Sequence, residues 1–354
     1  MIGLELLGAL VAAVSAAELP WLSEVQTPPA VIPEDAPQLP SLLVDAAGQP
    51  ITTREAWAKR REEIRRWWLD FLGLAPRERC DLAPEVVSEE PVGTVVRKLV
   101  RLQVEPGCRM EAYLLHPVNP QGRLPGVVVF HSTVDYTIRQ PAGLEGADSH
   151  FLGLRLAEQG FVTICPRCFI WDYCGPQPSY LDAVGELHRR HPGWRGLGKM
   201  LFDGMRAVDY LQTLPFVDRE RLGCIGHSLG AKETLYAMAF DERLKAGVSS
   251  EGGIGLGFSN WEADWYLGSD IRAAGFGHDN HEVLSLVAPR AFLLIGGESA
   301  DGSRSWPFIE RGKEVYDLLG AGDRIGLLTH SSGHSLPPIA LQCAYGWLGH
   351  FLRE

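Results

Sequence analysis

The chain has 354 residues, 45% of them hydrophobic and 22% charged, with a formal net charge of −11 and seven cysteines. A chain of this size and apolar content builds a sizeable core, which excludes a disordered or fibrous protein. Its acidic field disfavours nucleic acid and anionic membrane as partners and leaves small neutral molecules or polymers as substrates.

The first residues, MIGLELLGALVAAVSAAELPW, run apolar from Leu6 to Val14 and then offer Ala16 and Ala17 as a cleavage site. An export signal over residues 1–17 is the expectation, leading to a periplasmic or extracellular protein, although Glu5 stands where a basic residue is usual. The alternative is a cytoplasmic protein. The run is too short and interrupted to span a bilayer. Residues 18–52 are rich in proline (TPPAVIPEDAPQLP) and read as an extended surface linker.

From 53 to 354 neither a second linker nor an internal repeat is visible, so one domain with an N-terminal helical extension is expected. In that extension Trp57, Ile64, Trp67, Trp68, Phe71 and Leu72 recur at helical spacing, with Thr53 as a cap and Gly73 as a stop. VVRKLVRLQVE and MEAYLLHP alternate as an antiparallel pair, and LPGVVVFHS has the continuous apolar character of a strand buried on both faces. Helix HFLGLRLAEQG, strand FVTICPRC, helix GLGKMLFDGMRAVDYLQTL and strand RLGCIGHS follow. The strand-like runs AGVSSEGG, PRAFLLIGGESADG and RIGLLTHSSGH then lead to a closing helix in IALQCAYGWLGHFL. Strands alternating with helices predict an α/β fold whose mostly parallel, doubly wound sheet carries helices on both faces, with the chemistry at the C-terminal ends of the strands. Cys165, Cys168 and Cys174 cluster, with His188 and His191 downstream, but no complete four-ligand set is present. Core thiols or one local disulfide are expected there, and no metal.

The run GHSLG, residues 226–230, puts Ser228 at a strand-to-helix corner, where small neighbours at Gly226 and Gly230 permit a sharp, strained turn. This is the nucleophile elbow pattern, and a serine there needs a base that is itself oriented by a third group. His334 follows the last strand run and precedes the closing helix, where that base belongs; His330 is its near competitor. Glu298 and Asp301 lie in the loop after PRAFLLIGG, and Glu251 lies in the turn SSEGG beside the nucleophile's strand; either loop can orient His334. The oxyanion donors expected are the backbone amide of Leu229 and that of Thr133 or Ser132. No cofactor is required.

The ordered set GHSLGAKE, VSSEGG, HDNHEVLSLVAPRAFLLIGG and a GH before the final helix resembles the α/β-hydrolase superfamily over roughly residues 90–350. Within it the chain resembles the branch of glucuronoyl esterases, acetyl xylan esterases and dienelactone-hydrolase-like enzymes. The resemblance implies that Glu251 is the triad acid and that Lys232, four residues beyond the nucleophile, contacts sugar hydroxyls. The glucuronoyl esterases carry an arginine directly after the nucleophile, and this chain has Leu229 instead. Trp261, Trp265 and Trp306 fall after strand ends, where indoles stack on sugars. His278, Asp279 and His281 in GHDNH read as structural hydrogen bonding rather than a metal cluster. The implied activity is a serine carboxylesterase working through an acyl-enzyme on a small-molecule or polysaccharide ester, with a glucuronoyl or acetyl ester of a carbohydrate as the expected substrate. The alternatives are a prolyl-oligopeptidase-like peptidase, for which too few residues precede the core to form a propeller, and a non-catalytic binding protein on a hydrolase scaffold.

Overall fold

A computed structural model describes residues 21–45, 47–74 and 79–353; the expected export signal lies outside the described residues. The strands are β1 (Glu85–Val92), β2 (Val95–Glu105), β3 (Cys108–Pro117), β4 (Leu124–Phe130), β5 (Val162–Pro166), β6 (Val217–His227), β7 (Leu244–Ser250), β8 (Ala291–Gly296) and β9 (Ile325–Thr329). They form one sheet in the order β1-β2-β3-β5-β4-β6-β7-β8-β9. The pairings β1 to β2, β2 to β3 and β3 to β5 are antiparallel, and all pairings from β5 through β9 are parallel. The expected mostly parallel α/β sheet is therefore present.

The helices are α1 (Leu22–Val25), α2 (Arg54–Leu72), α3 (Leu152–Glu158), α4 (Tyr180–Arg190), α5 (Gly196–Thr213), α6 (Leu229–Phe240), α7 (Asn280–Ser285), α8 (Trp306–Leu319) and α9 (Pro338–Arg353). Two cores follow from the two-residue period of the strands. Val128, Phe130, Phe292 and Leu294 pack with α2, α5, α6 and α8, while Val127, Val129, Leu293 and Ile295 pack with α1, α3 and α9. From β4 to β9 the sheet is covered on both faces, and the candidate site lies in the loops at the C-terminal ends of these strands.

Helix α2 forms as its spacing predicts. Thr53 accepts the Ala56 amide at 3.2 Å, Gly73 closes the helix at φ 76°, and Trp57, Ile64, Trp68 and Leu72 are buried. The linker reading of residues 18–52 is corrected over its described part. Leu42 and Ile51 are buried in the core, and Ser41 Oγ donates to Glu314 at 2.9 Å, so this stretch is a strap tied along the domain. Proline makes it extended, but scattered apolar residues anchor it. The cysteine cluster is also resolved differently. Cys174 pairs with Cys108, at the start of β3, while Cys165 and Cys168 are buried free thiols. Among the described residues, no helix is long and apolar enough to cross a membrane.

Candidate active site

Strand β6 runs straight into Ser228 and α6 starts at Leu229, so the chain turns within one residue. Ser228 takes φ 60° and ψ −117°, a conformation that side-chain-bearing residues rarely adopt and that costs about 1–3 kcal/mol. A Cβ on Gly226 would strike the Gly230 backbone, and one on Gly230 would strike the Phe130 backbone at the end of β4. Glycine at both positions is what lets strand, helix and neighbouring strand converge here. The Ser228 amide donates to the Ser250 carbonyl at 2.8 Å, tying the corner to the end of β7.

One residue past Ser250, Glu251 turns sharply at φ 57° and is only 1% exposed. Its own amide donates to Ile295 O at 2.9 Å. Its carboxylate accepts the Gly297 amide, the Ala300 amide at 2.8 Å, and His334 Nδ1 at 3.2 Å. Burial pushes its pKa up, but His334 and the two amides prevail and hold it below the ordinary carboxylate range. An ionised carboxylate can only accept, so Nδ1 of His334 carries the proton and Nε2 is left as the basic nitrogen. Ser228 and His334 line the same cavity of about 270 Å³.

The opposite wall belongs to the loop after β4. His131 is buried between Ser132 O, 2.7 Å from Nδ1, and the Cys168 amide, which donates to Nε2 at 3.2 Å. The Ser132 amide donates to Gln140 Oε1 at 3.0 Å, which removes it as an oxyanion donor. Thr133 lines the cavity beside it, and Leu229 occupies the first position of α6, where helix amides point outward. Sequence reasoning missed His227 and His150. The His227 ring lies 4.7 Å from that of His334 and 5.1 Å from that of His150. Burial holds the His227 imidazole neutral, well below its ordinary pKa, with Nδ1 on Ser250 Oγ at 3.1 Å. His227 was readable as the second residue of GHSLG, but nothing in the sequence brings His150 beside it.

Residues 110–261 match the Dienelactone hydrolase family, a span that includes Ser228 and Glu251 and stops before His334. The Bacillus subtilis (strain 168) protein YtaP is 26% identical over 78% of this chain and 93% of its own length. Carbohydrate esterase MZ0003, from an unknown prokaryotic organism, is 21% identical over 80% of this chain and 79% of its own. The solved glucuronoyl esterase from Solibacter usitatus superposes with a TM-score of 0.71 at 20% identity, covering 91% of this chain and 99% of that one. This chain has the α/β-hydrolase fold. It is an enzyme of the hydrolase class, and its candidate nucleophile, acid and base fall in the chain order Ser228, Glu251, His334.

Other expected residues of the hydrolase lie elsewhere. Glu298 is turned onto Ser303, accepting its amide at 2.9 Å and its hydroxyl at 2.7 Å. Asp301 is fully buried and accepts the Gly253 and Ile254 amides at 2.7 and 2.8 Å. Neither carboxylate bonds to His334, so Glu251 is the acid the geometry favours. His330 packs against Gly297 at the end of β9, and its Nδ1 accepts the Ser332 amide at 3.3 Å. Trp261 is 1% exposed with its indole N–H on Gly253 O, and Trp306 is 4% exposed as the first residue of α8. Both sugar-stacking expectations are thereby corrected, because a buried ring offers no face to a ligand. Trp265 is half-buried and packs edge-on to Tyr180. Lys232 is also buried and is not among the residues that line the cavity.

His278 bonds to Glu282 at 2.7 Å and stacks on Trp67, while Asp279 caps α7. His191 pairs with Glu105. Among the described residues, no group of three or more His, Cys, Asp or Glu is placed to hold a metal ion.

Proposed function

We propose that the enzyme hydrolyses uncharged carboxylic esters of carbohydrates through a Ser228–His334–Glu251 triad and an acyl-enzyme. The observation that carries this reading is the His334–Glu251 hydrogen bond at the rim of the cavity that Ser228 lines. Nε2 of His334 takes the Ser228 proton as Oγ attacks the ester carbonyl, and Glu251 stabilises the resulting imidazolium. The Leu229 and Thr133 amides stabilise the tetrahedral oxyanion. Collapse expels the alcohol, which receives the proton from His334; a water activated by the same nitrogen then releases the acid.

The substrate class rests on two supports. The named relatives include a carbohydrate esterase and a glucuronoyl esterase. The cavity is lined by Ser132, Thr133, Tyr136, Gln140 and imidazoles, and no Asp, Glu, Lys or Arg is among its lining residues. Such a wall hydrogen-bonds hydroxyls and does not neutralise a charged group.

The test is hydrolysis of an aryl acetate, acetylated xylan and a glucuronate methyl ester by wild type, Ser228→Ala and Glu251→Gln. Ser228→Ala is expected to lower kcat by about 10⁴- to 10⁶-fold and Glu251→Gln by about 10²- to 10⁴-fold. Serine-independent turnover, or none on any ester, would overturn the reading.

A further inference from the structure

We propose that Lys232 and Asp301 are positioning residues that clamp the turn carrying Glu251 from its two sides, an inference that rests on Glu251 being the triad acid. Glu251 itself still donates its amide to Ile295 O of β8, but the residues after it have left the sheet, so their backbone groups must be held by something else. Lys232 Nζ donates to the Gly252 carbonyl and to Ser259 Oγ at 2.8 Å. From the far side, Asp301 takes the next two amides, Gly253 and Ile254, and Ser305 Oγ anchors it at 2.9 Å. The carbonyl and amides following Glu251 are thus fixed by two ionisable side chains, 3% and 0% exposed.

Burying a lysine is costly unless its hydrogen bonds and surroundings compensate. Here the ammonium lies 4.3 Å from the centre of the Trp261 ring and 5.3 Å from that of Tyr266. Trp261 in turn donates to Gly253 O at 2.6 Å, so the ring under the lysine holds the same turn. Burial brings the Lys232 pKa down to about 7, with the charges of Asp301 and Glu262 opposing that fall. Lys232 stands in the helix that Ser228 begins, and a Cβ on Gly252 would strike Ala231 and the Lys232 backbone. The lysine therefore locks the nucleophile's helix to the acid's turn at van der Waals distance. Neither Lys232 nor Asp301 lines the cavity, so each acts through Glu251 and not on the substrate.

The experiment is a double-mutant cycle on an aryl acetate. Lys232→Met keeps the packing over Trp261 and cannot donate to Gly252; Asp301→Asn keeps the shape and loses one acceptor. Each is measured alone and in the Glu251→Gln background, with thermal unfolding recorded for all. The expected result is a kcat about 10- to 100-fold lower for each single variant with KM within about twofold, because a displaced catalytic group costs rate rather than binding. In the Glu251→Gln background the further loss is expected to be under about threefold. A multiplicative loss there, or a raised KM at unchanged kcat, would overturn the clamp and make Lys232 a substrate contact. Wild-type kcat in Glu251→Gln alone would instead remove Glu251 as the acid, and the clamp with it. If Lys232→Met fails to fold, the Asp301→Asn pair decides.

Discussion

Ser228 and Glu251 both sit at positive φ, 60° and 57°, and each is held there by a strand-end contact: Ser228 N to Ser250 O, Glu251 N to Ile295 O. Strain of this kind survives only where neighbours over-determine the backbone. On the opposite wall His131 does similar work for the loop after β4. Its nitrogens face one acceptor, Ser132 O, and one donor, the Cys168 amide, so only the neutral ring fits. Burial, with Arg167 adding to it, lowers its pKa to about 4 from an ordinary 6.5. Between those values the unfolded chain binds the proton more readily, so acidification through that window favours unfolding. His131→Gln, which can still donate to Ser132 and accept from Cys168, should lack about 3 kcal/mol of the stability that wild type loses between pH 6.5 and 4. Urea denaturation of the two proteins across that range checks it, and parallel curves would contradict it. Comparing against the variant cancels the opposing effect of Glu233 and Asp203, whose pKa values burial raises to about 8 and 6.

Among the elements, α2 was legible because its apolar residues repeat at helical spacing between a threonine cap and a glycine stop. It packs on α5 and α7, and Trp68 donates to Glu282 at 2.9 Å. None of its residues lines the Ser228 cavity. Trp68→Ala is therefore expected to cost about 3–5 kcal/mol of stability. Per folded molecule, kcat and KM should stay at the wild-type values, as denaturation and initial rates on one sample would report. Strand β1 and helix α8 were not legible. Seven of the eight β1 residues are exposed, so the segment has no buried alternation to betray a strand. Trp306 opens α8 ahead of Pro307, and a Trp-Pro pair after a glycine-rich loop reads as loop until the sheet places it at a helix start.

At the scale of the molecule, the disulfide between Cys108 and Cys174 joins the β2–β3 hairpin to the loop after β5, across 66 residues of chain. Closing a loop of that length stabilises by about 2–4 kcal/mol, chiefly by restricting the unfolded chain. Dithiothreitol should lower the urea midpoint of the wild type accordingly and leave that of Cys108→Ser/Cys174→Ser unmoved; an unmoved wild type would show unpaired thiols. Local spacing pointed to Cys165, Cys168 and Cys174, yet the partner lay on a distant strand. The same division runs through the whole protein. Periodicity and glycine placement are properties of neighbouring residues, so the α/β sheet and the strand-to-helix corner at Ser228 could be read from the sequence alone, and His334 could be proposed from its place before the closing helix. Which carboxylate meets His334, which tryptophans are buried and which cysteines pair depend on how β7, β8 and their loops pack together. Glu251, Glu298 and Asp301 are alike as residues. Only tertiary structure gives one the imidazole, one a loop serine and one the backbone of the turn.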